Sequence, residues 1–208
     1  MKVHEGAFYP STERGLQGDA ASLAHVEEHI LPYVQPNRRS CIQAGGAVGL
    51  WARTLSQYFE KVHSFEPNPA LLKCFHENTK GFANIISYPV ALGKDMGGGK
   101  LSWDKDWNMG SWWVTEGEEF PIVTIDSLNL TDCDLILLDI EGAELEALKG
   151  ARGTMAFCRP VIVVESKSNC LERYGTSRSK MHEWLREEKY RYVKAFHGGR
   201  DELWVPTR

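Results

Sequence analysis

Three acids and a glycine turn carry the chemistry within reach of this chain. Asp139 and Glu141 follow the apolar run Leu135-Ile-Leu-Leu, and Glu165 ends the run Val161-Ile-Val-Val with Lys167 close behind. Carboxylates gathered at strand ends can orient a hydroxyl, take its proton, or hold a divalent ion that lowers an alcohol pKa. The plainer use of Asp139 and Glu141 is capping and favourable charge at a helix N-terminus. A second block, Cys41-Ile-Gln-Ala-Gly-Gly-Ala-Val-Gly49, runs from a strand into a turn. Gly45, Gly46 and Gly49 let the backbone approach a ligand and aim amide N–H groups at it. Glu66, just before Pro67, ends the next apolar run and can accept hydrogen bonds from both hydroxyls of a ribose. Together these features describe a site for a nucleoside cofactor. A dinucleotide fingerprint from Gly45 needs glycines at positions 47 and 50, which are Ala47 and Leu50 here, so that class fails.

The elements that must position these groups alternate. Strand-like runs at Cys41–Ala44, Val62–Phe65, Ile85–Tyr88, Leu135–Leu138 and Val161–Val164 are separated by helical patterns at Leu50–Phe59, from Asn68-Pro69, at Glu144–Lys149 and at Ser179–Glu188. Asp19–Leu31 reads as a further helix, with Asp19 as cap and Pro32 beyond its end. This alternation predicts a doubly wound, mostly parallel sheet. Continuous apolar runs at Leu135 and Val161 suit strands covered on both faces. Tyr190–Phe196 and Leu203–Val205 flank Gly198-Gly199 and predict a closing antiparallel hairpin. Residues 93–120 differ in texture, with Gly97-Gly98-Gly99 and four tryptophans at 103, 107, 112 and 113. They read as an inserted hairpin or loop, with short strands at Leu101–Trp103 and Trp112–Thr115.

With 208 residues, 42% apolar and 25% charged, the chain suits a single domain, 1–208: an N-terminal helical segment (1–39), the Trp-rich insertion and the terminal hairpin (190–208). The net charge of −4 argues against a surface built for nucleic acid. No apolar run reaches the length needed to span a bilayer, and the N-terminus lacks a signal-peptide core. Five cysteines without a C-x-x-C pair fit a reduced, cytoplasmic protein. His25-Val-Glu-Glu-His29 matches an inverted zinc-protease pattern, but its flanks carry no other element of such an enzyme. Gly97-Gly98-Gly99-Lys100 lacks the first glycine of a phosphate-binding loop.

The glycine spacing resembles the G-x-G-x-G loop of S-adenosylmethionine (SAM) methyltransferases, with Ala47 in the middle place. Asp139-Ile-Glu141-Gly142-Ala-Glu144, followed by Leu148-Lys-Gly150-Ala, resembles the signature of the FkbM-type methyltransferase family. Phe65-Glu66-Pro67-Asn68-Pro69, Val90-Ala91-Leu92, Val123–Leu128 and the Pro160–Glu165 strand match its pattern in order, so the resemblance spans residues 40 to 166.

The resemblance implies a class I, Rossmann-like methyltransferase fold with a seven-stranded sheet. It implies SAM as cofactor, held by Gln43, Gly45, Gly46, Gly49, Glu66, Pro67, Val90, Ala91 and Asp139. It also implies O-methylation of a small-molecule or glycan acceptor, with Asp139 orienting or deprotonating the hydroxyl and Glu141 and Glu165 beside it. Gln43 stands where the family has an acid that helps hold the methionine ammonium. A Gln carbonyl lacks the charge assistance, a loss of about 1–2 kcal/mol. Trp107, Asn108, Ser111 and Trp112 of the insertion are expected to wall the acceptor, together with Lys167. The alternative is a non-catalytic binding or scaffold protein on the same fold. Transfer of another group from a SAM-derived cofactor also stays open.

Overall fold

The structure is a computed structural model that describes residues 25–103 and 112–207, with the backbone of 2–4 and 7–9. Strands β1 (Lys2–His4) and β2 (Ala7–Tyr9) pair antiparallel. The predicted N-terminal helix is, in its described part, a π-helical turn at Val26–Ile30 that tightens into a 3₁₀ turn at Leu31–Tyr33. Pro32 removes a donor from that helix and favours the tighter turn.

The central sheet is built from β3 (Ser40–Ala44), β4 (Lys61–Phe65), β5 (Ile85–Tyr88), β10 (Cys133–Leu138), β11 (Val161–Glu165), β12 (Tyr190–Phe196) and β13 (Asp201–Pro206). Their order is β12-β13-β11-β10-β3-β4-β5, and β13 alone runs antiparallel to its neighbours. The chain leaves β3 for β4 and β5, then returns on the other side at β10. The switch point, where ligands bind in such sheets, therefore lies between the C-terminal ends of β3 and β10.

Period-two alternation sorts the strand residues onto two faces. Ile42, Ile136, Leu138, Ile162, Val164 and Trp204 pack into one core with the helices α3 (Glu144–Lys149), α4 (Arg152–Cys158) and α6 (Arg178–Glu187). Cys41, Leu135, Leu137, Val161, Val163 and Leu203 pack into the other with Val26, Ile30 and the helix α1 (Leu50–Leu55). Glu165 and Asp201 continue this second series at their strand ends and Asp139 one residue past its strand, and Glu165 lies directly opposite Asp201. Alternation alone thus brings three acids to one edge.

Helix α1 ends at Leu55, earlier than the predicted Phe59, although Phe59 still enters the core. Asn68 caps α2 (Pro69–Asn78) through Ala70 N–H, with Pro69 at the first helical position, as the sequence predicts. The described part of the insertion is more than a hairpin. Strands β6 (Ala91–Leu92), β7 (Gly97–Ser102), β8 (Trp113–Glu116) and β9 (Phe120–Val123) form a second sheet in the order β6-β9-β7-β8. The predicted hairpin is its β7–β8 pair, with Leu101 opposite Val114. Two of the three glycines in β7 have no room for a side chain: a Cβ on Gly98 would sit 2.3 Å from the Gly117 carbonyl oxygen, and one on Gly99 2.7 Å from the Phe120 ring. Short helices α4 and α5 (Ser168–Arg173) escaped the periodicity reading.

Candidate active site

Gly45 follows β3 in the left-handed conformation (φ +82°), and a Cβ there would lie 1.9 Å from the Asp139 carbonyl oxygen. The N–H groups of Gly45 and Gly46 both donate to the Phe65 carbonyl at 3.2 and 2.9 Å. Asp139 N–H donates to the Ala44 carbonyl at 3.0 Å. The loop is thereby clamped between the tips of β4 and β10, at the switch point. Ala47 also adopts a positive φ (44°), the conformation a glycine would take in the loop's middle place. Gly49, at φ +92°, opens α1.

Glu66 is buried at the tip of β4 and accepts from Ala47 N–H and Asn68 N–H, each at 2.7 Å. Burial nevertheless raises its pKa to about 7, against the opposing pull of those two bonds. Pro67 carries the chain from Glu66 to the Asn68 cap. The Asn68 side-chain amide, Nδ2, is buried without a partner. Gln43 is fully buried, donating from Nε2 to the Gly45 carbonyl at 2.9 Å and accepting from Ser64 Oγ at 2.5 Å. Both its polar ends are committed to the protein, so in this structure Gln43 braces the loop. An ionised acid at this place would face the Gly45 carbonyl oxygen. Val90 packs against the core beside Tyr88, and Ala91 is buried in β6.

The acids gather as alternation requires. The Asp139 carboxyl lies beside that of Glu165, close enough for the two to repel. Lys167 Nζ lies 2.7 Å from Glu165 Oε1 and 3.3 Å from Glu141 Oε1, and Cys170 Sγ donates to Glu141 Oε2 at 3.1 Å. Glu165 Oε2 is buried without a partner. Glu141 (φ 55°) and Gly142 (φ +112°) turn the chain sharply, and a Cβ on Gly142 would meet the Cys170 carbonyl oxygen at 2.1 Å. Glu144 Oε1 closes this turn by accepting from Ile140 and Gly142 N–H. Burial raises both Asp139 and Glu165; repulsion from Glu141 adds to the first and repulsion from Asp139 to the second. The two acids therefore hold a proton between them at neutral pH. Lys167 is held cationic by the same carboxylates. Ligand atoms of Glu141, Glu165 and Cys170 lie within 4.8 Å of one another, spacing suited to a metal ion, and here Lys167 supplies the cation between the two glutamates.

These buried acids set the pH dependence of stability. Burial raises Glu144 to about 8 and Glu66 to about 7, and both return to the usual carboxylate range on unfolding. Between those limits the folded chain holds protons that the unfolded chain has released, so their contribution is full in acid and falls as pH rises. Melting temperature should therefore decline from about pH 5 to pH 8. Glu144→Gln, which keeps the acceptor for Ile140 and Gly142, should flatten that slope. An unchanged slope in the variant contradicts the assignment.

The insertion crosses the mouth of this site. Trp112 packs against the cluster formed by Val48 of the loop and Leu71 and Cys74 of α2, and stacks on Trp103 at 4.8 Å. The Arg173 guanidinium covers the Trp113 ring at 4.0 Å. Tyr174 Oη donates to the Val114 carbonyl at 2.7 Å and accepts from Val114 N–H at 3.1 Å. The predicted acceptor residues Trp107, Asn108 and Ser111 lie outside the described residues. Lys167 stands among the acids. Sequence reasoning missed Cys170, Tyr174 and Asp201; only the acid in β13 left any trace, as a polar residue at a strand start. Asp201 in turn bonds His197 Nδ1 at 3.0 Å. Among the described residues the histidines of the His25–His29 pattern belong to no metal-spaced group, and His29 Nδ1 lies 3.2 Å from Lys194 Nζ.

The description "Methyltransferase FkbM domain" belongs to the family whose pattern matches residues 43–192. None of the curated proteins matches the chain. Among solved structures, a methyltransferase FkbM from Methylobacillus flagellatus superposes with a TM-score of 0.60 at 17% identity, covering 93% of this chain and 48% of its own. This chain thus spans about half the length of that relative. A ribosomal protein L11 methylase from Lactobacillus delbrueckii subsp. bulgaricus gives a TM-score of 0.52 at 9% identity, over 90% of this chain and 77% of its own. A precorrin 8w decarboxylase from Methanobacterium thermoautotrophicum gives 0.50 at 11%, over 94% of each. At these identities the structures speak for the fold alone.

Proposed function

Since the chain belongs to the FkbM methyltransferase family, whose cofactor is SAM, we propose that it methylates a hydroxyl of a sugar, glycan or other small metabolite. The residues fit that cofactor. Gly45 and Gly46 leave a cradle with no Cβ between the tips of β3, β4 and β10, and Glu66 presents a buried carboxylate beside it. The cofactor would supply a methyl group on a sulfonium, open to in-line attack. Glu66 would take the ribose hydroxyls, the glycine loop the amino-acid end, and Gln43 would hold that loop in place.

Asp139 carries the proposal. Its backbone is joined to the cofactor loop on both sides, through Ala44 and Gly45, while its carboxyl neighbours that of Glu165. A hydroxyl held by Asp139 therefore stands at the switch point, where its oxygen can face the methyl group. Asp139 accepts the hydroxyl proton as the oxygen attacks. Glu165 shares the proton, and Lys167 and Glu141 fix the position of Glu165. The acid-rich surround disfavours phosphorylated or carboxylated acceptors. Four of the five cysteines are buried, which suits a reducing cytoplasm.

One observation favours a scaffold reading: the polar ends of Gln43 are spent within the protein. Labelled SAM incubated with panels of sugars, glycans and hydroxylated metabolites separates the two. Label in a hydroxyl-bearing acceptor is the expected result. SAM binding without transfer to any of them would favour the scaffold.

A further inference from the structure

Trp112 was expected in the acceptor wall, yet its contacts are with the cofactor side. The side chains of Val48, Leu71 and Cys74, which form the cluster it packs on, carry no oxygen. Its Nε1 is buried without a partner, an arrangement rare in folded proteins. A second orphaned donor, Asn68 Nδ2, belongs to the same rim, at the cap of α2 and beside the Glu66 carboxylate. Two buried donors without acceptors, on one rim, fit a ligand rich in oxygen acceptors.

Trp112 is also held in place. The next two residues of the chain are fastened on the opposite side of the mouth, Trp113 beneath Arg173 and Val114 by both bonds of Tyr174. Tyr174 is half-buried and packs near the Cβ position of Gly142, in the turn that follows Asp139. The segment 112–114 therefore spans from the glycine loop to the acidic turn. Trp103, half exposed, stacks on the outer face of Trp112.

We propose that Trp112 is a cofactor-binding residue: its ring closes the nucleoside cleft and its indole N–H donates to an oxygen of the bound ribose or amino-acid carboxylate. Tyr174 is the positioning residue that holds the strap. This assignment rests on the SAM reading of the glycine loop. It moves the inner face of the insertion from the acceptor to the cofactor, and leaves the acceptor to the Asp139 side.

S-adenosylhomocysteine (SAH) titrated by calorimetry tests it without an acceptor. Trp112→Phe keeps the ring and loses the donor, and should weaken SAH roughly five- to tenfold. Trp112→Ala should weaken it further, and Tyr174→Phe should weaken it in the same direction. The melting temperature of each unliganded variant reports packing separately. If Trp112→Phe lowers the melting temperature but binds SAH as the wild type does, the residue is structural and the assignment falls. If the wild type itself does not bind SAH, the SAM reading falls and takes the assignment with it.

Discussion

Replacing Asp139 with Asn should cut methyl transfer by about 10²–10⁴-fold, the range set by removing a positioned base. The same variant should bind SAH within about threefold of wild type, less than 1 kcal/mol. The separation follows from how Asp139 is built into the sheet. Its N–H bonds the Ala44 carbonyl and its carbonyl packs on Gly45, and neither contact uses the side chain. Cofactor loop and fold should therefore survive the change. Stability should hold or rise, because one of two mutually repelling buried acids is gone. Glu165 should then ionise at lower pH, bonded to Lys167 alone. Turnover close to wild type in Asp139→Asn removes it from the chemistry.

Gly45→Ala should be the most damaging single methyl group in the cofactor loop. Its Cβ would fall 1.9 Å from a backbone oxygen, which cannot rotate away, at a φ of +82° that alanine rarely adopts. Relief requires moving β10 from β3 at the switch point itself. Strain and overpacking together predict a loss of about 3–5 kcal/mol in urea unfolding, with SAH binding lost as well. Gly46→Ala is the comparison. Its nearest contacts, at 3.0–3.2 Å and including Glu66 Cβ and Ser64 Oγ, can give by a few tenths of an ångström. That variant should fold and bind weakly. Equal stability of Gly45→Ala and wild type would mean the loop is not clamped as described.

Much of this site is written locally in the chain. The glycine turn, Glu66 and Asp139 each end an apolar run, and a strand-end residue in an alternating α/β pattern projects toward the ligand edge. The terminal hairpin was equally legible from Gly198-Gly199, both at positive φ in the turn. What escaped reading depends on pairing between distant segments. The bracing role of Gln43 could not be read locally, because the register that puts Ser64 beside it, and the turn that returns the Gly45 carbonyl, are tertiary facts. Asp201 reaches the acid edge only because β13 runs antiparallel and meets Glu165. Its neighbour Glu202 is fully buried on the other face, bonded to Ser166, His182, Trp204 and Arg178, a network assembled from three separate segments. The insertion hid its strands behind glycines and Pro121, residues that ordinarily break them.

Methyl transfer by this chain requires a SAM-type nucleoside in the glycine loop beside Glu66. Calorimetric titration of the wild-type protein with SAH tests that most directly. One equivalent should bind with a Kd of about 1–100 µM, tightening as pH rises through about 7, where Glu66 ionises. No heat of binding at millimolar SAH, across that pH range, would contradict it.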